Sequence, residues 1–364
     1  MESPENLERI VNVPCNACGN ELTFDPEKEM LLCPSCGNTQ ALPSANDMVV
    51  ERSFADAANL AAQPRGLDSP SKVFHCNSCG GNTAVSPDEV AFNCPFCGST
   101  NVNDEAHEAR CIRPSGILPF KVTKKTALEK FRTWIGKGFF APKKLADLAK
   151  LDKIRSVYLP FWTYDAETFS EWTAESGYYY YRTESYTDGE GNAQTKQVRH
   201  TRWSSSSGYH QKAFDDILVL GSSALKQKLV EKIFPFELGD LVNFDGRYIL
   251  GHESEVYQKD VNEAFNVADQ RMDAEIKSEV KKRVPGDTHR GLRISTRKSG
   301  ITFKHILLPT WIAAYTYNDK VYRFLVNGQT GKINGKKPKS VWKIVGLIAL
   351  IAAIIGTIVF FVMR

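Results

Sequence analysis

The stretch that decides the fold is Cys15-Asn16-Ala17-Cys18-Gly19, answered by Cys33-Pro34-Ser35-Cys36-Gly37 with 14 residues between the two pairs. The same unit returns as Cys76-Asn77-Ser78-Cys79-Gly80 and Cys94-Pro95-Phe96-Cys97-Gly98, again 14 residues apart. An offset of 61 superposes the two sets and aligns Pro26 with Pro87. The unit is therefore an internal duplication. A Cys-x2-Cys pair on a tight turn points two thiolates at one tetrahedral centre, and the glycine that follows lets the chain turn back under the metal. Two such knuckles joined by a short hairpin make a zinc ribbon. The hairpins expected here use Leu22–Phe24 and Met30–Leu32 around Asp25-Pro26-Glu27.

The expected metal ligands are Cys15, Cys18, Cys33 and Cys36 in one site and Cys76, Cys79, Cys94 and Cys97 in the other. Four thiolates close each site and leave no position for a water nucleophile, so two structural Zn2+ ions are expected. A disulfide framework is the competing reading of dense cysteines, but no secretory signal accompanies these and the duplicated spacing suits metal. Cys111 is read as a small buried residue and His75 as a bystander beside Cys76.

Composition is that of a globular protein, with 42% hydrophobic and 24% charged residues in 364. It excludes a disordered chain, a collagen-like fibre and a polytopic membrane protein. The net charge of +4 conceals an asymmetry. Residues 1–111 hold 6 basic and 16 acidic side chains, and the remainder holds 40 and 26. An N-terminal module at −10, more negative still once zinc sits on four thiolates, repels nucleic acid and attracts a basic protein surface, the rest of this chain included.

At the far end, 344–362 carries no charge, and Lys332, Lys336, Lys337, Lys339, Lys343 and Trp342 precede it. The run predicts a transmembrane helix in the lipid bilayer. The lysines predict a single-pass plasma-membrane protein with its N-terminal domains in the cytoplasm. The pairs Ala349/Ala353 and Ala352/Gly356 would let two such helices touch, which allows a homo-oligomer.

Between these ends the texture is mixed. A short helix is expected near 52–62, others over 124–137 and 143–150, and strands from Val157 onward. Tyr178–Tyr181 reads as sheet core or cross-strand pairs, with Asp188–Asn192 turning between extended arms that reach Tyr186 and restart at Gln194. Asp260-x-x-Glu263 predicts a capping box ahead of a helix that buries Val261, Phe265, Ala268, Met272, Ile276 and Val280. Strands resume over 301–317 and 320–334, and Leu308-Pro309-Thr310-Trp311 echoes Leu159-Pro160-Phe161-Trp162. No phosphate loop, His-Glu-x-x-His or Gly-x-Ser-x-Gly occurs. His200, His210, His252, His289 and His305 lack ligand spacing, and Asp215-Asp216 reads as a turn.

These elements predict a multidomain α+β chain. It comprises ribbon 1 (1–45), a helical linker (46–73), ribbon 2 (74–111), a mixed α/β domain with antiparallel strands (112–338) and a C-terminal transmembrane helix with its lysines (339–364).

The two ribbons, Tyr158–Thr168, Phe214–Leu220, Phe303–Pro309, Val326–Lys332 and the terminal apolar run together resemble a bacterial family of membrane-anchored double-zinc-ribbon proteins. Members are often labelled TFIIB-type zinc ribbons or relatives of primosomal protein N′ (replication factor Y, a superfamily II helicase). The resemblance implies a link to phage-shock-protein-A-type membrane stress systems. The helicase label rests on the zinc spacing alone, since the motor motifs are missing here. The expected function is thus a non-enzymatic, membrane-anchored adaptor whose ribbons recruit a cytoplasmic protein partner. The alternative is a membrane-tethered nucleic-acid-binding zinc protein, disfavoured by the acidic ribbons.

Overall fold

A computed structural model describes residues 13–42, 49–61, 72–85, 93–105, 112–136, 154–317, 320–336 and 341–362. Three very long strands dominate it: Arg155–Thr187, Ala193–Phe214 and Thr288–Tyr317. The first lies between the other two and pairs antiparallel with both.

The first strand passes through three environments, and its side chains follow them. Residues 157–164 are buried on both faces, as the apolar run Val157–Tyr164 demands. Residues 165–177 largely alternate between buried and exposed, the period-2 signature of a sheet with one covered face. From Tyr178 to Thr187 every residue is exposed. The echo noted in the sequence is a physical pairing: Leu159 lies opposite Leu308, and Pro160 opposite Leu307.

Helix Val261–Arg283 covers the alternating zone. Asp260 Oδ1 accepts from the backbone N–H of Asn262 and Glu263 (both 2.8 Å), and the Glu263 carboxylate accepts from Asp260 N–H (3.2 Å), completing the expected capping box. Its buried stripe is Val261, Ala264, Ala268, Met272, Ile276 and Val280. Phe265 is half-buried and packs against Phe54 of the short helical turn 54–61. The turn Asn327–Gly331 braces the loop 233–240 from inside. Asn327 Nδ2 donates to Ile233 O (3.0 Å) and Pro235 O (2.9 Å), and its Oδ1 accepts from Gln329 and Thr330 N–H.

Two expectations are overturned. The chain is not a string of α+β modules: among the described residues strand outweighs helix, 43% against 26%. A 13-stranded mixed sheet runs through the second ribbon and the central region together. Strand Asn82–Val85 of that ribbon pairs with Glu253–Val256, which lies parallel to the start of Arg155–Thr187. The physical reason is that the ribbon's Phe96 is buried in one apolar cluster with Leu118, Phe161 and Ala224 of the body. The second correction concerns the terminal anchor over 344–362. Val341–Val362 is a helix with exposed apolar side chains. Among the described residues, however, no helix is long and apolar enough to cross a membrane. The transmembrane helix and the single-pass plasma-membrane localisation are therefore not supported. The expected helix 143–150 and Cys111 lie outside the described residues.

Candidate metal centres

Each ribbon brings its four cysteines to one point, with the sulfurs of each set within 4.8 Å of one another. In the first, Cys15 Sγ lies 3.6 Å from Cys36 Sγ, and Cys18 Sγ 3.5 Å from Cys33 Sγ. In the second, Cys76–Cys97 and Cys79–Cys94 are both 3.6 Å. Four Zn–S bonds of about 2.3 Å at the tetrahedral angle require sulfurs about 3.8 Å apart. The residues fit the ion. Both are structural zinc sites.

The knuckles owe this convergence to their backbone. Gly19, Gly37, Gly80 and Gly98 each donate N–H to the carbonyl of the first cysteine of their pair, at 2.8, 2.9, 2.8 and 2.8 Å. All four sit at φ between +73° and +76°, where an L side chain is strained. A Cβ on any of them would meet nothing within 4 Å. The glycine requirement is thus conformational, not one of space under the metal.

Four clustered sulfurs cannot share their protons evenly. The Ala17 N–H, 3.4 Å away, holds the Cys15 thiol down to about 6. Cys36, despite the Asn38 N–H that favours its thiolate, is pushed up to about 12 by the sulfurs of Cys18 and Cys33. In the second ribbon the Cys94 sulfur lowers Cys79 to about 5, while Cys79 raises Cys94 strongly. Only a cation makes four thiolates compatible, and Zn2+ supplies that charge.

The two sites differ in surroundings. Cys18 and Cys36 are exposed, whereas Cys79 and Cys97 are half-buried. The first ribbon touches the body through its hairpin: Phe24 N–H donates to Leu250 O (3.0 Å), and the Phe24 ring meets Tyr248 edge-on at 5.3 Å. In the second ribbon, Phe96 is fully buried against Gly81 and Ala224, close to Cys76 and Cys94.

Further chemistry that the cysteine spacing does not reveal lies elsewhere in the fold. Glu255 is buried beside the second ribbon and takes a hydrogen bond from Ser222 Oγ at 2.6 Å; burial raises its carboxyl to about 8. Asp165 joins Asp215 and Asp216 in a carboxylate group that could in principle hold a cation. Lys304 already occupies that role, with its Nζ 2.8 Å from Asp216 Oδ1 and 3.0 Å from Glu51 Oε1. Thr302 Oγ1 bridges Asp165 and Glu51 at 3.0 Å each. Asp216 has φ +51°, consistent with the turn read from the sequence. Burial holds His252 and His305 down to about 4, as neutral rings stacked on Phe120 and Trp162 respectively.

No protein-family profile matches the chain, and no solved structure matches it. It is similar to the Uncharacterized protein YdjG of Bacillus subtilis (strain 168), 27% identical over 348 residues that cover 92% of each chain. The likeness therefore embraces the long-stranded body as well as the ribbons. Double zinc ribbons are the part of the expected resemblance that the two four-cysteine sites bear out. The relative's name adds neither a membrane anchor nor a primosomal role.

Proposed function

We propose that the protein is a non-enzymatic adaptor that recruits a protein partner, with the zinc ribbons bracing a β-scaffold and a two-stranded arm making the contact. One observation carries this reading. The third long strand last pairs with the first at Thr288–Gly177, yet the first and second continue paired from Tyr178–Arg202 to Thr187–Ala193. Ten further residue pairs at 3.3 Å each make an arm about 33 Å long.

A two-stranded ribbon is marginal in water unless its side chains hold it. Here the guanidinium of Arg199 lies 4.2 Å over Tyr179, that of Arg182 5.4 Å over Tyr180, and the Lys196 ammonium 5.3 Å over Tyr186. His200 stacks on Tyr180 at 5.5 Å and meets Glu184 at 2.9 Å. At the base, Arg290 lies 4.1 Å over Trp203. These contacts leave Tyr178, Tyr179, Tyr180, Tyr181 and Tyr186 exposed, Tyr181 by 63%. Tyrosine offers large contact area at low entropic cost, the composition of a recognition surface. The ribbons, by contrast, direct Phe24 and Phe96 into the body, which suits bracing.

The test is a photo-crosslinking amino acid placed at Tyr181, Tyr186 or Thr201 in the full chain within cells. A discrete protein adduct at these positions, absent when the probe sits at Lys228 on the body, is the expected result. Nucleic-acid adducts, or none at any arm position, overturn the adaptor reading.

A further inference from the structure

The arm exposes two kinds of surface, its faces and its backbone edge, and the edge has a definite polarity. Asp188 N–H donates to Asn192 O across the turn (3.0 Å), and the register from there to Ala166–Phe214 has no shift. Even-numbered residues of Ala193–Phe214 therefore direct N–H and C=O inward to the first strand, and odd-numbered ones direct theirs outward. Gly177 O, which accepts from Asp287 N–H at 2.8 Å, gives the matching parity on the first strand, whose odd-numbered groups face the third. Among the described residues, no backbone group pairs with the outward row from Thr195 to Ser205.

The protein treats its two outer edges differently. On the third long strand the register slips between Arg290 and Arg293 and again between Ser299 and Thr302, with Gly291 at φ +62° and Gly300 at φ +60°. Bulges of this kind blunt an edge against strand addition. The Ala193–Phe214 edge runs 22 residues without a bulge or a proline.

Its charge selects what fits. The strand carries Lys196, Arg199, Arg202 and Lys212 and no carboxylate. Lys212 is held by Glu275 and Glu279, both at 2.5 Å, which leaves the three cations toward the tip to face a partner. A second copy is a poor occupant. It would bring the same cations and no carboxylate, and antiparallel self-pairing centred on Arg199 would set Arg199 opposite its own copy and Lys196 opposite Arg202, like charge against like charge.

We propose that the open edge over 195–205 accepts an acidic extended segment of a partner protein as an added β-strand. The inference rests on the arm being the recruiting element. Backbone hydrogen bonds would supply affinity and the three cations selectivity for acid.

The test uses the full-length, zinc-loaded chain and a fluorescent peptide in which glutamate alternates with valine and threonine, compared with the same peptide bearing lysine for glutamate. The acidic peptide should bind and the lysine peptide should bind at least about tenfold more weakly. Gln197→Pro removes an outward N–H and should weaken acidic-peptide binding about tenfold at unchanged zinc content. Should that variant fail to fold, the doubly substituted Arg199→Glu/Arg202→Glu chain leaves the backbone intact and should reverse the peptide preference. Equal binding of the two peptides, or full binding by both variants, overturns the proposal. So does self-association through this edge in sedimentation. If Tyr181 still crosslinks to a protein in the Gln197→Pro and charge-reversed chains, edge pairing falls and the adaptor reading stands; no crosslink in the unaltered chain defeats both.

Discussion

Glu255→Gln isolates the cost of one buried acid. Glu255 sits on strand Glu253–Val256, only 2% exposed, between the second ribbon and the long strands. Burial dominates its behaviour and lifts its carboxyl from the usual carboxylate range to about 8, with the Ser222 hydroxyl partly offsetting this and the Cys79 thiolate reinforcing it. In the unfolded chain it ionises near 4.5. Between these values the folded state holds a proton that the unfolded state has lost. The folded state therefore binds more protons, and stability falls as pH rises through the window. The slope is about 1.4 kcal/mol per pH unit, so the loss reaches about 3 kcal/mol at pH 7.

The glutamine amide has the same shape and no proton to lose. Urea unfolding of both chains at saturating zinc, from pH 5 to 9, should give matching stabilities at the acid end. The curves should then separate in favour of Glu255→Gln up to about pH 8 and run parallel above it. Protonation of the zinc thiolates affects both chains alike and cancels in the difference. Parallel curves across the whole range would refute the argument, because they would mean the carboxyl ionises in the folded state as easily as in the unfolded one.

Further outcomes follow from the same structure. Elemental analysis should find two zinc ions per chain; Cys33→Ser should lower this to one and leave hydrogen-exchange protection of 155–165 intact, whereas Cys94→Ser should erode that protection, since its ribbon shares the sheet. A chelator should draw zinc first from the site with exposed Cys18 and Cys36, read as two kinetic phases of metal release. Lys304→Met leaves Asp216, Glu51 and Asp165 without their buried cation and should cost about 3–5 kcal/mol in urea unfolding, with Lys304→Arg recovering part of it. Asn327→Ala strips two buried carbonyls and two N–H groups of their partner and should cost about 3 kcal/mol by the same measurement.

What the sequence made legible was what depends on neighbours in the chain. The zinc knuckles, the Asp260–Glu263 box, the stripe from Val261 to Val280 and the turn at Asp188–Asn192 are all set by residues within one or two turns of each other. What stayed hidden depends on partners far along it. Lys304 finds Glu51, some 253 positions away, and Glu255 finds its place only because a ribbon strand lies beside it. Tyr178–Tyr181 shows the limit most clearly. Consecutive aromatics in a β-prone run read as core or as cross-strand pairs, and the pairing with the opposite strand is present, as Tyr180 on His200 shows. Yet the same residues are exposed, because the third strand turns away at Gly177, where a Cβ would lie 2.7 Å from Thr288 and 2.8 Å from Thr201. Nothing in four tyrosines says whether a third strand or helix will cover them. The helix ends at Arg283 with Val284 already extended, and Gly286 at φ +93° turns the chain into pairing at Thr288. Helix Val261–Arg283 covers one face of the zone that pairs with the third strand, and beyond Gly177 the first strand has no such cover, so the tyrosines remain a surface.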